Sequence, residues 1–241
     1  MSTFSAPAGA TGIAVPNLQH DDTIAAHKPS RNVLKSGPKR RGKPWMVGRF
    51  PSLMMGVEMD YESFLERDRI RLNETEGSII AYGVQPQPIR FTYEEKTHTY
   101  TPDGFIQYED RTMEIYEVKP EKIYRRDKEW WDFITQLYAS RGVHFEVYTE
   151  VDIRKQPRLQ NAERLLLERL HKPSERTRYQ VTEAVVLHRP QTLGDLLVRL
   201  DWPKASFGYL LNLALRRHFH IDLHSAPLSL DSRIWAANRR F

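Results

Sequence analysis

The stretch TPDGFIQYEDRTMEIYEVK, from Thr101 to Lys119, decides the fold of this chain. Two apolar and aromatic runs flank a polar turn within it, which predicts a pair of antiparallel strands. Asp103 stands at the start of the first strand, and Glu117 and Lys119 flank Val118 at the end of the second. The stretch therefore predicts that two carboxylates and one ammonium meet at one end of a hairpin.

This set of groups suits the hydrolysis of a phosphodiester. Hard divalent cations such as Mg²⁺ take oxygen ligands, so Asp103 and Glu117 suit one, with the Val118 carbonyl as a third oxygen. Such a cation polarises a phosphoryl oxygen and helps to deprotonate a water, which Lys119 would orient. Glu117 and Lys119 share a face because residues two apart in a strand point the same way. A Glu-x-Lys pair alone is often only a solvated strand face, so the prediction depends on the order of acid, hairpin and pair.

A third carboxylate precedes the hairpin in a helical pattern. Glu62 and Glu66 are four positions apart and therefore lie on one helix face. A carboxylate delivered from a helix would complete a metal site or act as a base that positions water. The alternative, which the helix alone favours, is that both acids pair with Arg69 or Arg71 in solvent.

Several short motifs within about residues 45–155 occur in the order that is typical of one family. They are a Ser-x-x-Glu that ends at Glu66, Gln85-Pro86, a Thr-Pro-Asp that ends at Asp103, a Glu-Val-Lys-Pro that begins at Glu117, together with the run Gly48–Ser52 and the aromatic helix Lys128–Tyr138. In these motifs the chain resembles TnsA, the endonuclease subunit of heteromeric transposases. Several spaced motifs in order are more specific than any one of them.

The resemblance implies roles for four residues. The family's helical catalytic glutamate corresponds to Glu66, its metal-binding aspartate to Asp103, and its strand pair to Glu117 and Lys119. The family often has Gln where this chain has Glu117, and both residues serve because the metal can use a backbone oxygen there. The implied cofactor is Mg²⁺, for which Mn²⁺ would substitute.

The resemblance also implies an activity and partners. Proteins of this family have a restriction-endonuclease-like fold and cleave the 5′, non-transferred strands of double-stranded DNA at transposon ends. A partner transposase subunit cuts and joins the 3′ ends, and an AAA+ regulator ATPase couples both to target choice. Two alternatives remain open: a catalytically idle assembly subunit that binds DNA or a partner, and a free-standing restriction or repair nuclease.

Composition is compatible with a DNA partner. The 241 residues carry a formal net charge of +5 with a sequence pI near 9.3, which favours a polyanionic partner without identifying one. The absence of cysteine excludes disulfides, thiolate zinc sites and cysteine nucleophiles. The mean hydropathy is −0.61, and no apolar run has the length of a membrane span. We therefore expect a soluble, cytoplasmic protein, and the resemblance to TnsA implies a bacterial one that associates with DNA.

The sequence pattern divides the chain into three parts. Residues 1–44 are rich in Ala, Gly, Pro and Ser and end in a basic run, which predicts a flexible arm that either neutralises DNA phosphates or only aids solubility. Residues 45–157 alternate strand and helix patterns, which predicts an α/β domain with a mixed sheet and flanking helices. The resemblance implies that this is the restriction-endonuclease-like nuclease domain. Residues 158–241 predict helices and a terminal ribbon, as in a small winged-helix-like domain.

Two groups of basic residues are candidates for DNA contacts: Arg125, Arg126, Lys128, Lys204, Arg216 and Arg217. The first group stands at the start of the aromatic helix, where solvation of the helix end is the competing explanation. The second group lies on the second helix of the predicted helix-turn-helix, which in such folds can enter a major groove. Docking of a protein partner is the alternative for that domain, because fold alone does not decide between the two.

Overall fold

A computed structural model describes residues 47–237 of the chain. The arm predicted for residues 1–44 lies outside the described residues, and its contact with DNA stays a prediction. The described chain divides into two compact units. The first unit contains residues 47–67 and 79–151, and the second contains 68–78 and 152–237.

Short strands make up most of the first unit. Its strands are β1 (Gly48–Pro51), β2 (Glu58–Tyr61), β3 (Ile79–Val84), β4 (Ile89–Tyr93), β5 (Lys96–Tyr100), β6 (Gly104–Tyr108), β7 (Met113–Val118) and β8 (His144–Tyr148). Its helices are α2 (Glu121–Arg126) and α3 (Lys128–Ala139). Two further helices, α1 (Phe64–Thr75) and α4 (Glu150–Ile153), contribute residues to both units.

The centre of the first unit is a four-stranded mixed sheet in the order β3-β6-β7-β8. The first two pairings are antiparallel, and β7 and β8 are parallel. A parallel pair needs a crossover connection, and α2 and α3 provide it between these two strands. The predicted mixed sheet with flanking helices is confirmed, and this arrangement fits a restriction-endonuclease-like fold.

The hairpin of β4 and β5 forms a separate two-stranded sheet. Its turn consists of Glu94 and Glu95, which both have positive φ, at 47° and 62°. Two such residues in sequence form the tight turn whose twist suits a two-residue hairpin. The hairpin ends at Tyr100, three residues before Asp103.

The aromatic face of α3 packs against the sheet and this hairpin. Tyr138 stacks on Phe145 of β8, with ring centroids 5.1 Å apart. Trp130 meets Tyr93 of β4 edge-on at 5.4 Å, and Trp131 is buried. The helical spacing of these residues indicates packing, and the structure places them in the core.

The second unit is mainly helical. Its remaining elements are α5 (Arg158–Leu167), a 3₁₀ turn (Glu168–Leu170), α6 (Glu175–His188), α7 (Leu193–Leu200), a 3₁₀ turn (Lys204–Ser206), α8 (Phe207–Leu215) and the antiparallel pair of β9 (Phe219–Ile221) and β10 (Ile234–Ala236). The sequence predicts a helix from Thr192 to Leu200 with Thr192 as its cap. Thr192 and Asp195 form a reciprocal capping box at the start of α7. The winged-helix-like interpretation of this part stays a prediction.

One predicted helix of the second unit is shorter than expected. The pattern predicts a single helix from Lys204 to His218, whereas α8 begins at Phe207 and ends at Leu215. Arg217 has a φ of 64°, in the left-handed region, which ends a right-handed helix.

In the described part of the chain, no helix is long and apolar enough to cross a membrane.

Candidate active site

Asp103 lies between the β4–β5 hairpin and the central sheet, immediately before β6. Its carbonyl accepts a hydrogen bond from the Gln85 N–H at 2.9 Å, and its Oδ2 accepts one from the Val118 N–H at 2.8 Å. The backbone and side chain of the aspartate are therefore held by β7 and by the residue that follows β3. These bonds fix the carboxylate at the end of β7.

Gly104 is required beside Asp103 because the chain packs closely there. A Cβ atom at this position would lie 2.7 Å from the Gly83 carbonyl oxygen and 2.3 Å from the Tyr116 ring. The sequence suggests a bulge at Gly104, but this residue pairs in register with both neighbouring strands. Close approach, rather than a bulge, is thus the reason for glycine.

Glu117 and Lys119 meet Asp103 at this point, as the hairpin predicts. The Lys119 ammonium pairs with Glu117 Oε1, lies 3.6 Å from Asp103 Oδ2 and donates to the Val118 carbonyl at 3.3 Å. Glu117 Oε2 accepts hydrogen bonds from the Asp103 N–H at 3.2 Å and from the Tyr100 hydroxyl at 2.6 Å. Only 4% of the surface of Glu117 is exposed, so this is a buried carboxylate whose oxygens all have donors.

Glu66 lies in the first turn of α1 and is held by the start of that helix. Its N–H donates to the Ser63 hydroxyl at 3.1 Å, and its Oε2 accepts from the Glu62 N–H at 2.8 Å. A carboxylate in the first turn also interacts favourably with the helix dipole. Capping is therefore one role of Glu66 that the contacts demonstrate.

Electrostatics also couples Glu66 to the other acids. Burial raises the pKa of Glu66, and the charge of Asp103 raises it further. Burial acts to lower the pKa of Lys119, but the carboxylates around it, Glu66 included, outweigh that effect and raise it. Arg71, one of the solvent partners considered for Glu66, pairs with Asp68 at 3.4 Å.

The carboxylates of Asp103 and Glu117 repel each other electrostatically. Burial and then the charge of Asp103 raise the pKa of Glu117 to about 7. Burial also raises the pKa of Asp103, although the Lys119 ammonium acts against it. When ionised, the three carboxylates of Glu66, Asp103 and Glu117 exceed the single ammonium of Lys119 by two negative charges.

That excess equals the charge of one divalent cation, and the donors are the oxygens that Mg²⁺ prefers. The site is also partly buried, and burial raises the cost of an uncompensated charge. Within residues 47–237 no three acidic or histidine side chains are already arranged to hold a metal ion. The cation that contacts the two strand acids in this structure is the Lys119 ammonium. The chemistry of the residues present thus fits a Mg²⁺ ion.

The three basic residues near the start of α3 each have an acidic neighbour. Arg125, Arg126 and Lys128 pair with Glu121, Asp127 and Asp132, respectively. They line a cleft of about 790 Å³ together with three aromatic residues, Tyr93, Trp130 and Trp131. Because acidic residues line the cleft in equal number, its charge alone does not favour a phosphate group. The DNA contacts of these residues stay a prediction.

The basic candidates of the second unit have different surroundings. Arg217 donates to backbone carbonyls at the end of α1, including that of Glu74 at 3.0 Å. Arg216 donates to the carbonyl of His171 at 3.0 Å. Both guanidinium groups therefore tie segments of their own unit together, whereas Lys204 is exposed. The DNA contacts of Lys204, Arg216 and Arg217 stay a prediction.

The site has contacts with two aromatic residues, Tyr100 and Trp131, which the sequence patterns do not assign to it. Tyr100 donates to Glu117, and the Trp131 ring lies with its centroid 5.7 Å from the Lys119 ammonium. The position of Tyr100 at the end of a strand that leads into Thr-Pro-Asp is the one local signal for such a role. Trp131 has none, because its helical spacing indicates only core packing.

The segment that carries both strands of the site has a counterpart among known families. Residues 76–150 match the TnsA-like endonuclease N-terminal family. The resemblance to TnsA-type endonucleases is confirmed over this TnsA-like segment, which contains Asp103, Glu117 and Lys119. Glu66 precedes the segment. No curated protein matches the chain.

Proposed function

We propose that this protein is a metal-dependent DNA endonuclease that cleaves the 5′, non-transferred strands at transposon ends as part of a heteromeric transposase. One observation carries the proposal: the Lys119 ammonium pairs with the buried Glu117 and lies 3.6 Å from Asp103, inside a partly buried, negatively charged site. The match of residues 76–150 to the TnsA-like endonuclease N-terminal family supports a nuclease activity.

Each residue of the site has a distinct role in this proposal. Asp103 and Glu117 would hold Mg²⁺, or Mn²⁺ in its place, with the Val118 carbonyl as a third oxygen. When bound, the cation would supply Lewis acidity toward a phosphoryl oxygen and the leaving group. Lys119 would orient the attacking water. Glu66 would position that water or accept its proton, and its raised pKa makes it a stronger proton acceptor than an ordinary glutamate.

The proposed partners follow from the same resemblance. They are double-stranded DNA at transposon ends, a transposase subunit that processes the 3′ ends, and an AAA+ regulator ATPase. The net charge of +5 supports a polyanionic substrate. The second unit would act as a winged-helix-like module that binds DNA or a partner, which its order of helices followed by an antiparallel pair supports.

Calorimetric titration of Mn²⁺ into the full-length chain tests the site without knowledge of the DNA end. Asp103→Asn removes one carboxylate charge but keeps an oxygen that can accept the Val118 N–H bond. Asp132→Asn is the matched control, because it removes the same charge from an exposed residue that pairs with Lys128. We expect Asp132→Asn to bind Mn²⁺ like the wild type. The affinity of Asp103→Asn for Mn²⁺ should fall by more than about 10-fold, which is the loss expected when only a hydrogen-bond partner of a metal ligand is removed.

Equal affinities in all three proteins, or no binding by the wild type, would contradict the proposed site. Cleavage of end-containing DNA with the partner transposase then separates the remaining possibilities. A free-standing nuclease would cut the DNA without the partner. If the chain were an idle assembly subunit, cleavage by the partner would be equally efficient with the wild type and with Asp103→Asn. The complete set of acids and the lysine favours an active enzyme.

A further inference from the structure

The two oxygens of the Glu117 carboxylate have different partners. Oε1 pairs with the Lys119 ammonium. Oε2 accepts a hydrogen bond of 2.6 Å from the Tyr100 hydroxyl and a longer one of 3.2 Å from the Asp103 N–H. One oxygen is therefore fixed by donors of the fold, while the other faces the ammonium.

The bond from Tyr100 is the shorter of the two that hold Oε2. The terminal torsion of a glutamate is broad and roughly twofold, so a carboxylate without fixed partners rotates readily. Hydrogen bonds to an ionised carboxylate are stronger than bonds between neutral groups. Without the Tyr100 hydroxyl, only the 3.2 Å bond from Asp103 would hold this oxygen.

Packing holds Tyr100 itself in place. It pairs with Ile89 at the end of the β4–β5 hairpin, and its ring meets Phe145 edge-on at 6.4 Å. A tyrosine hydroxyl has an ordinary pKa of about 10, so it is protonated and able to donate at neutral pH. The separate hairpin thus delivers a donor to a carboxylate of the central sheet.

We infer that Tyr100 is a positioning residue for metal binding, whose hydroxyl fixes Glu117 Oε2 so that Oε1 is presented to a divalent cation. The inference rests on the proposed function, because it requires a cation at Asp103 and Glu117. Tyr100 acts through Glu117 and is not itself a ligand.

A pair of single-atom deletions tests this role. Tyr100→Phe removes the hydroxyl and keeps the ring against Phe145. Tyr108→Phe is the matched control, because it removes a hydroxyl that donates at 3.1 Å to Glu114, another buried carboxylate of β7. Two readouts apply to the full-length chain: the ¹³C resonance of the Glu117 side-chain carboxyl without metal, assigned by its loss in Glu117→Gln, and the affinity for Mn²⁺ by calorimetry.

We expect Tyr100→Phe to move the Glu117 resonance and to weaken Mn²⁺ binding about 10-fold, as the loss of an outer hydrogen-bond partner does. We expect Tyr108→Phe to leave both unchanged, while urea unfolding shows a comparable loss of stability in the two variants.

Three results would overturn the inference while the proposed function stands. They are an unmoved Glu117 resonance in Tyr100→Phe, a moved resonance with wild-type affinity for Mn²⁺, and an equal loss of affinity in both variants. Failure of the proposed function is read from the wild type alone: if it binds no Mn²⁺, the metal site fails and the role of Tyr100 fails with it.

Discussion

Glu114 and Glu117 lie on the same strand, β7, and only 6% and 4% of their surfaces are exposed. They lie on opposite faces of the sheet because they are three positions apart. Both accept hydrogen bonds from tyrosine hydroxyls. They differ in their other neighbours, since Glu117 has the Lys119 ammonium and a second carboxylate, Asp103, whereas Glu114 has the His144 ring at 3.5 Å.

This difference shows that two similarly buried glutamates of one strand can have different electrostatic surroundings. Hydroxyl donors satisfy a buried glutamate and make it part of the fold. A second carboxylate adds a repulsion that burial strengthens, and together they raise the pKa of Glu117 to about 7. A divalent cation can relieve that repulsion. Under the proposed function, Glu117 serves the site and Glu114 serves the sheet.

The largest expected effect separates the lysine from the metal ligands. Lys119→Met keeps the length of the side chain and removes the ammonium that pairs with Glu117. We expect cleavage of end-containing DNA, with the partner transposase, to fall about 100-fold or more, because the attacking water loses its orienting group. Mn²⁺ affinity should be retained or increased, because the competing cation is gone. Lys172→Met is the control, because Lys172 is an exposed lysine that belongs neither to the site nor to the candidates for DNA contacts.

If Lys119→Met also lost Mn²⁺ binding, the lysine would be needed to hold the two carboxylates together. Glu117 would then depend on Lys119 for its position, and the contrast with Glu114 would lie in structure rather than in reactivity.

A smaller effect is expected when the structural glutamate is removed. Glu114→Leu deprives the hydroxyls of Tyr108 and Tyr148 of this acceptor, which should reduce the free energy of unfolding by about 1–3 kcal/mol. Glu114→Gln keeps an acceptor oxygen and should lose less. Urea unfolding measures both values, and Mn²⁺ titration should show wild-type affinity. A loss of Mn²⁺ binding in Glu114→Gln would erase the distinction between the two faces of β7.

The smallest effect concerns Glu76, a glutamate of the second unit with cationic partners. Burial acts to raise its pKa, but Arg158 at 3.0 Å and His224 at 3.1 Å outweigh burial and lower it below the ordinary value of 4.5. A lowered pKa in the folded state adds stability above about pH 4.5, and this stability is lost as the pH falls through the folded value. Glu76→Gln should therefore be less stable than the wild type at about pH 6, and the difference should shrink in acid.

Urea unfolding of the two proteins at several pH values measures this difference. A constant difference from neutral pH down to acid would mean that ionisation of Glu76 does not stabilise the fold. The contrast between Glu76, with cations around it, and Glu117, with a second acid beside it, would then lose its electrostatic basis.

Local sequence patterns predicted the main elements around the site. Alternation and turn residues predicted β6 and β7 and placed Asp103 beside the Glu117–Lys119 pair, because the two ends of a hairpin return to one place. Thr192 was predicted to cap α7, because capping depends on neighbours within one turn. The TnsA-like motifs predicted the family that residues 76–150 match.

Local pattern failed where distant residues compete. The predicted helix from Lys204 stops at Leu215, and Arg217 donates to carbonyls at the end of α1, more than a hundred positions earlier. The bulge expected at Gly104 is absent, because the close approach of Gly83 and Tyr116 explains the glycine instead.

The sequence by itself determined the hairpin of β6 and β7 and which acids and lysine share one of its ends. These depend on side-chain periodicity and turn chemistry within a few residues. Only the tertiary structure decided that Tyr100 donates to Glu117 and that the Trp131 ring lies near the Lys119 ammonium. It also decided that the charge of Asp103 raises the pKa of Glu66. The physical reason is that these contacts join separate elements, whose packing no local periodicity specifies.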